Sequence, residues 1–109
     1  MRSVIPGDKK GICFLCGRIN TEEHHIFGAS DRNVSEKYGL KVNLCWYHHH
    51  GKFGAHGMEG KQVQDFLHEI GQERWEEIRI QEGLSPKEAR ARFMKEFRKN
   101  YLEEIKEDE

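Results

Sequence analysis

At 109 residues the chain has room for one domain, and with 36% hydrophobic against 34% charged residues it builds a lean core that a bound metal would help to stabilise. No apolar run approaches the roughly 18 residues of a membrane span and the start lacks a signal-peptide core, which sets aside a membrane partner and points to a cytoplasmic location. A net charge of −1 argues against a uniformly basic nucleic-acid binder, but residues 1–61 carry nine Lys/Arg against six Asp/Glu while residues 62–109 carry nine against thirteen, so the first half permits contact with DNA.

In chain order, residues 1–11 are polar, contain Pro6, Gly7 and Gly11, and read as a flexible lead-in. Ile12 to Gly17 spells Cys-Phe-Leu-Cys inside a tight turn, with Gly17 allowing the bend after the second cysteine. Glu22 to Phe27 is a strand candidate, Gly28 to Asn33 a loop, and Val34 to Tyr38 a short helical turn ended by Gly39. Leu40 to Leu44 alternates apolar and polar residues, as a second strand would. A helix starting after Leu44 would present Cys45, His48 and His49 from its first turns. Gly51, Gly54, Gly57 and Gly60 then mark an irregular stretch around His56, a flexible candidate for phosphate contact.

The remainder reads as helical. Val63, Phe66, Leu67 and Ile70 follow helical spacing, Gly71 interrupts, and Trp75 and Ile78 resume the apolar face. His68 in this run reads as a surface residue. Ser85-Pro86 with Glu88 three residues after the serine forms a capping box that starts a second helix. Ala89, Phe93, Phe97, Tyr101 and Ile105 step by four along one face, expected to pack on the preceding helix, and Lys106 to Glu109 read as a frayed end.

Three cysteines, two of them in a tight CxxC, suit metal ligation in a reducing compartment better than a disulfide framework. Zinc takes four soft or borderline ligands, often from two short knuckles, and Cys13, Cys16, Cys45 and His48 supply them as CxxC and CxxH. Trp46 and Tyr47 would pack around that ion. Neighbours on a strand face opposite ways, so His24 can ligate a second, divalent cation (Mg2+ or Mn2+) together with His49, while His25 faces a different partner. Histidine as a residue type titrates near neutrality, which suits His25 to take a proton from water. Asn43 is expected to hold His25 by a hydrogen bond. The run of three histidines also allows a shifted register, with His49 on the zinc and His50 on the second cation. The fold class that follows is α+β: a zinc-stapled core over residues 12–60 and a helical extension of the same domain over 61–109.

Taken together, Cys13-x-x-Cys16, His24-His25-Ile26, Asn43-Leu44-Cys45 and His48-His49 resemble the zinc-containing HNH endonucleases, also called ββα-metal or His-Me finger nucleases. The surrounding His-His-Ile-Phe-Gly and Ser-Glu-Lys-Tyr-Gly-Leu resemble phage or prophage members, and Cys-x-x-His-His resembles the RecA-dependent phage nuclease branch. The resemblance implies a ββα-metal core that hydrolyses phosphodiester bonds of DNA, with a recombination protein as a further expected partner. It implies His25 as general base, Asn43 as the middle asparagine, and His24 and His49 as ligands of the catalytic cation. It implies Cys13, Cys16, Cys45 and His48 as zinc ligands, with His48 standing where most members carry cysteine. The competing expectation is a zinc-knuckle module that binds nucleic acid or protein without catalysis.

Overall fold

Two short strands pair antiparallel at the centre of a computed structural model that describes residues 1–105; the frayed end expected for Lys106 to Glu109 lies outside the described residues. Strand β1 (Thr21–His25) runs against β2 (Lys41–Cys45), with His24 opposite Val42, His25 opposite Lys41 and Glu23 opposite Asn43. A 3-10 turn (Ala29–Asp31) leads into helix α1 (Arg32–Tyr38), which ends at Gly39 with a left-handed φ of 71°. Helix α2 (Trp46–His50) follows β2 without a linker. Helices α3 (Lys61–Gln81) and α4 (Pro86–Phe97) complete an α+β fold. None of the described helices is long and apolar enough to cross a membrane.

Alternation on β2 predicted one exposed face, yet all five residues are buried. The reason is the stretch 1–11, which is pinned rather than flexible. Val4 N donates to Gly39 O at 2.9 Å, Ser3 Oγ donates to Lys41 O at 2.6 Å, and Asp8 accepts from Asn43 N at 2.8 Å. Ile5 is buried in the core, and Arg74 of α3 reaches the Val4 carbonyl at 2.8 Å. These bonds close the edge of β2 opposite β1 and satisfy backbone groups that would otherwise be stranded there.

The long helix α3 runs straight through Gly71, where the sequence suggested an interruption. A Cβ at that position would lie 3.0 Å from Ile26 and 3.2 Å from the Phe27 ring, so the glycine lets the end of β1 press directly on the helix. Leu67 and Trp75 face the same core, whereas Phe66 is exposed.

Helix α4 begins as the sequence predicts, with Ser85 and Glu88 in a reciprocal capping box and Pro86 in the first turn. Its apolar stripe is core: Ala89, Phe93 and Phe97 are buried, and Phe93 and Phe97 stack at 4.5 Å between ring centroids. The helix stops at Phe97, however, because Arg98 turns left-handed at φ 60°. Tyr101 therefore reaches the core from an irregular segment, with its ring 4.5 Å from His68 and 5.5 Å from Phe27. His68 is accordingly half-buried and stacked on Phe27 at 5.3 Å rather than lying on the surface.

Candidate metal centres and histidine cleft

The first centre grows from the junction of β2 and α2. Cys45 is the last residue of β2 and the N-cap of α2, so His48 comes round beside it after one helical turn. The knuckle carrying Cys13 and Cys16 is closed by Gly17 N donating to Cys13 O at 2.9 Å and is tied to β2 by Phe14 N donating to Asn43 O at 2.8 Å. Four ligand atoms meet there, from Cys13, Cys16, Cys45 and His48, all within 4.8 Å of one another, and could hold a metal ion. The Cys16 and Cys45 sulfurs are 3.7 Å apart, and His48 Nδ1 lies 3.7 Å from Cys13 Sγ and 3.3 Å from Cys45 Sγ. A tetrahedron with metal–sulfur bonds of about 2.3 Å has edges of about 3.8 Å, so these spacings suit a tetrahedral ion. Trp46 is 66% exposed and does not pack around this cluster, whereas Tyr47, half-exposed, sets its ring edge-on to that of the ligand His48 at 5.1 Å between centroids.

One residue further along α2, the direction changes. Successive helical side chains point about 100° apart. His49 therefore turns away from the cysteines toward β1, and its ring centroid is 5.2 Å from that of His24. The shifted register, with His49 among the cysteines, is not the one adopted. His56 completes a triad with them, at 5.0 Å from His24 and 4.8 Å from His49 between centroids. One nitrogen from each of the three converges within 4.8 Å.

The backbone of His56 is tied to α2. Its N donates to His49 O at 2.8 Å, while the glycine loop folds tightly back on α2. A Cβ at Gly57 would overlap the Gly51 and Lys52 carbonyl oxygens, and one at Gly60 would overlap the Gly54 carbonyl oxygen. The three-residue glycine spacing thus encodes close packing, the signal that could have marked His56 as a site residue.

His24 shows the strongest unmet chemical demand. Its side chain is buried and Nδ1 has no hydrogen-bond partner among the described residues, a rare and costly condition. Burial first, and then the neighbouring His49 and His56, push its pKa down to about 3, which keeps the imidazole neutral as a ligand must be. His49 is held below its ordinary range mainly by burial. Its Nδ1 lies 3.1 Å from Glu22 Oε1, which also lies 3.0 Å from Nε2 of the exposed His50. A carboxylate on one ring nitrogen leaves the other for an ion. Three imidazoles suit a first-row transition ion; Mg2+ demands oxygen donors and does not fit this set.

His25 lines the same cleft, a space of about 250 Å³ shared with His24, His49, His56 and Arg32. As strand alternation predicts, it points away from the triad. Its Nε2 lies 3.0 Å from Glu36 Oε1 on α1. The expected bond to Asn43 is absent among the described residues. Asn43 Nδ2 instead donates to Asp8 Oδ2 at 3.1 Å and Thr21 Oγ1 donates to Asn43 Oδ1 at 3.3 Å, because the ladder sets Lys41, not Asn43, opposite His25. Asn43 borders a separate, larger polar groove of about 660 Å³ lined by Arg2, Asp8, Lys10 and Glu23, which contains no histidine. Glu36 itself is held at about 2 by hydrogen bonds from His25, Lys41 and the Met1 amino group.

No protein-family model matches the chain, and no curated protein or solved structure matches it either.

Proposed function

We propose that the chain is a metal-dependent endonuclease of HNH type that hydrolyses phosphodiester bonds in DNA, with zinc at the cysteine cluster and a divalent transition ion at the histidine triad. The observation that carries this reading is the convergence of His24, His49 and His56 in a cleft that also contains His25, apart from the Cys13, Cys16, Cys45 and His48 cluster. A module built only to bind needs one structural ion; it has no use for a second, all-nitrogen set beside a separate imidazole.

The roles follow from the chemistry. Zinc among three thiolates and an imidazole staples the knuckle to α2, a five-residue helix too short to persist alone. A divalent ion bound at the triad supplies charge for the phosphate and the leaving oxygen. His25, with Nε2 engaged by Glu36, offers Nδ1 to take the proton of an attacking water. Arg32, which forms no ion pair among the described residues, stands at the cleft to meet a phosphate. Glu22 orients His49.

Cleavage of supercoiled plasmid tests the reading. We expect Mn2+-dependent nicking or cutting, lowered about 10²- to 10⁴-fold in His25→Ala while the fold is unchanged. His24→Ala, His49→Ala and His56→Ala are expected to weaken metal affinity and to be partly rescued by excess metal. A parent protein that leaves DNA intact across Mn2+, Co2+, Ni2+ and Zn2+, or a His25→Ala variant as fast as the parent, overturns it.

One observation favours the non-catalytic alternative. Trp46, Tyr47 and Phe53 are exposed, with the Arg18 guanidinium 5.9 Å from the Tyr47 ring and the Lys52 amino group 5.4 Å from the Phe53 ring. Aromatic and cationic groups interleaved in this way suit base stacking. DNA binding without cleavage, lost in Trp46→Ala, is the outcome that this alternative requires.

A further inference from the structure

We propose that Glu36 is the positioning residue for His25, taking the place expected of Asn43; this rests on reading His25 as the base. The geometry is a clamp of several parts. Glu36 lies in the last turn of α1 and its Oε1 is 3.0 Å from His25 Nε2. Lys41, directly across the ladder from His25, donates to the same carboxylate at 3.0 and 3.2 Å and bridges on to Glu23 at 3.1 Å. The Met1 amino group adds a contact at 3.1 Å. Lys41 is nearly buried, with a side chain 7% exposed, so the carboxylate is fixed by a group that is itself fixed.

A carboxylate has no hydrogen to give, so the bond can form only with the proton on Nε2. That choice places the neutral ring's lone pair on Nδ1 and stops the ring from flipping. The contact is also the only side-chain hydrogen bond of His25 among the described residues. Without it the imidazole would keep its place on β1 but sample both tautomers and both ring orientations. A base that is present but in the wrong tautomer is largely lost to the reaction, which is the established logic of carboxylate-held histidines.

Sequence alone hides this pair. His25 and Glu36 are separated by a loop, a 3-10 turn and most of a helix, and neither spacing nor periodicity joins them. Asn43, by contrast, sits in a strand beside the histidines and attracts the role by proximity in sequence.

Two measurements on the full chain test the proposal. Long-range proton–nitrogen NMR at a pH where His25 is neutral should show a proton on Nε2, slow to exchange, and a bare Nδ1. In Glu36→Ala that slow proton should disappear. A His25 protonated on Nδ1 in the parent overturns the proposal whether or not the protein cleaves DNA. The second measurement is a double-mutant cycle. Glu36→Ala should lower kcat on the order of 10- to 100-fold, with KM for DNA and metal affinity within about twofold of the parent. In a His25→Ala background the same substitution should cost nothing further. Losses that multiply in the double variant, or that fall on KM and metal affinity, would mark a merely structural ion pair. Glu36→Leu, which fills similar space but offers no acceptor, serves if Glu36→Ala does not fold; a kcat equal to the parent's in Glu36→Leu together with an unchanged slow proton also counts against the idea. If His25→Ala itself cleaves normally, the nuclease reading of His25 fails, and the tautomer result stands apart from it.

Discussion

Replacing Gly71 by alanine sets two opposed effects against each other. Inside a helix alanine is favoured over glycine by about 1 kcal/mol, and Gly71 sits in the middle of the 21-residue α3. Against this, the new methyl would stand 3.0 Å from Ile26 Cγ2 and 3.2 and 3.3 Å from two Phe27 ring atoms. Contacts this short are relieved only if a neighbour moves. Ile26 is 2% and Phe27 3% exposed, and the Phe27 ring is enclosed by Phe93, Phe97, Tyr101 and His68. Overpacking of such a core costs about 1–3 kcal/mol, so the net effect of Gly71→Ala is a destabilisation of about 1 kcal/mol. In a domain of this size that lowers Tm by roughly 4–8 °C. Ile26 also follows His25 directly, so displacement of β1 should weaken metal binding at the histidine triad. Urea titration and a metal titration of the same variant read both effects. A Gly71→Ala protein that is more stable by the full helix-propensity gain, with unchanged metal affinity, would refute the reasoning.

The cysteine cluster should dominate stability. Structural zinc is worth roughly 10 kcal/mol or more of apparent binding energy, comparable with the whole stability of a small domain, so Cys16→Ala or strong chelation should unfold residues 12–60, read by circular dichroism beside elemental analysis. Purified protein that holds no zinc and keeps its fold would sink that expectation. Acid should act through His24. Its folded pKa of about 3 lies below the ordinary 6.5, so between those values the unfolded chain binds the extra proton, and stability falls as pH drops through that window. With the triad free of metal and the cysteine cluster loaded, the loss from pH 7 to pH 5 should be about 2 kcal/mol. Burial lowers His49 and His68 as well, so they add in the same direction. His24→Leu should show a visibly shallower pH dependence; an identical slope would show that His24 is not the group responsible.

Much of the fold is legible where one residue type has one physical job. Ser85, Pro86 and Glu88 could hardly form anything but a helix start, and Cys13, Cys16 and Cys45 had to meet something soft. The boundary of α4 was less legible. Tyr101 continues the four-residue step of Ala89, Phe93 and Phe97, and spacing cannot tell a helical neighbour from a side chain brought back by a left-handed Arg98. Intrinsic propensity marks Gly71 as a break, and tertiary contact reverses that meaning; the loop glycines do lie in an irregular stretch, but their spacing also permits close packing that propensity does not reveal. The three consecutive histidines were ambiguous on paper, and helical rotation assigns them three directions: His48 to the cysteines, His49 to His24, His50 to solvent and Glu22. Glu22 and Glu36, which hold the site histidines, resemble any other charged surface residue until the chain is folded.

The adjacency of His48 and His49 on one short helix has a thermodynamic corollary. Ions at the two clusters would not be independent, since α2 cannot shift for one without shifting for the other. If filling the cysteine cluster tightens the histidine triad by some factor, filling the triad must tighten the cysteine cluster by the same factor. Cys16 is the exposed member of the thiol set. An oxidant reaching that sulfur would therefore act at a distance, lowering affinity at a centre that contains no sulfur at all.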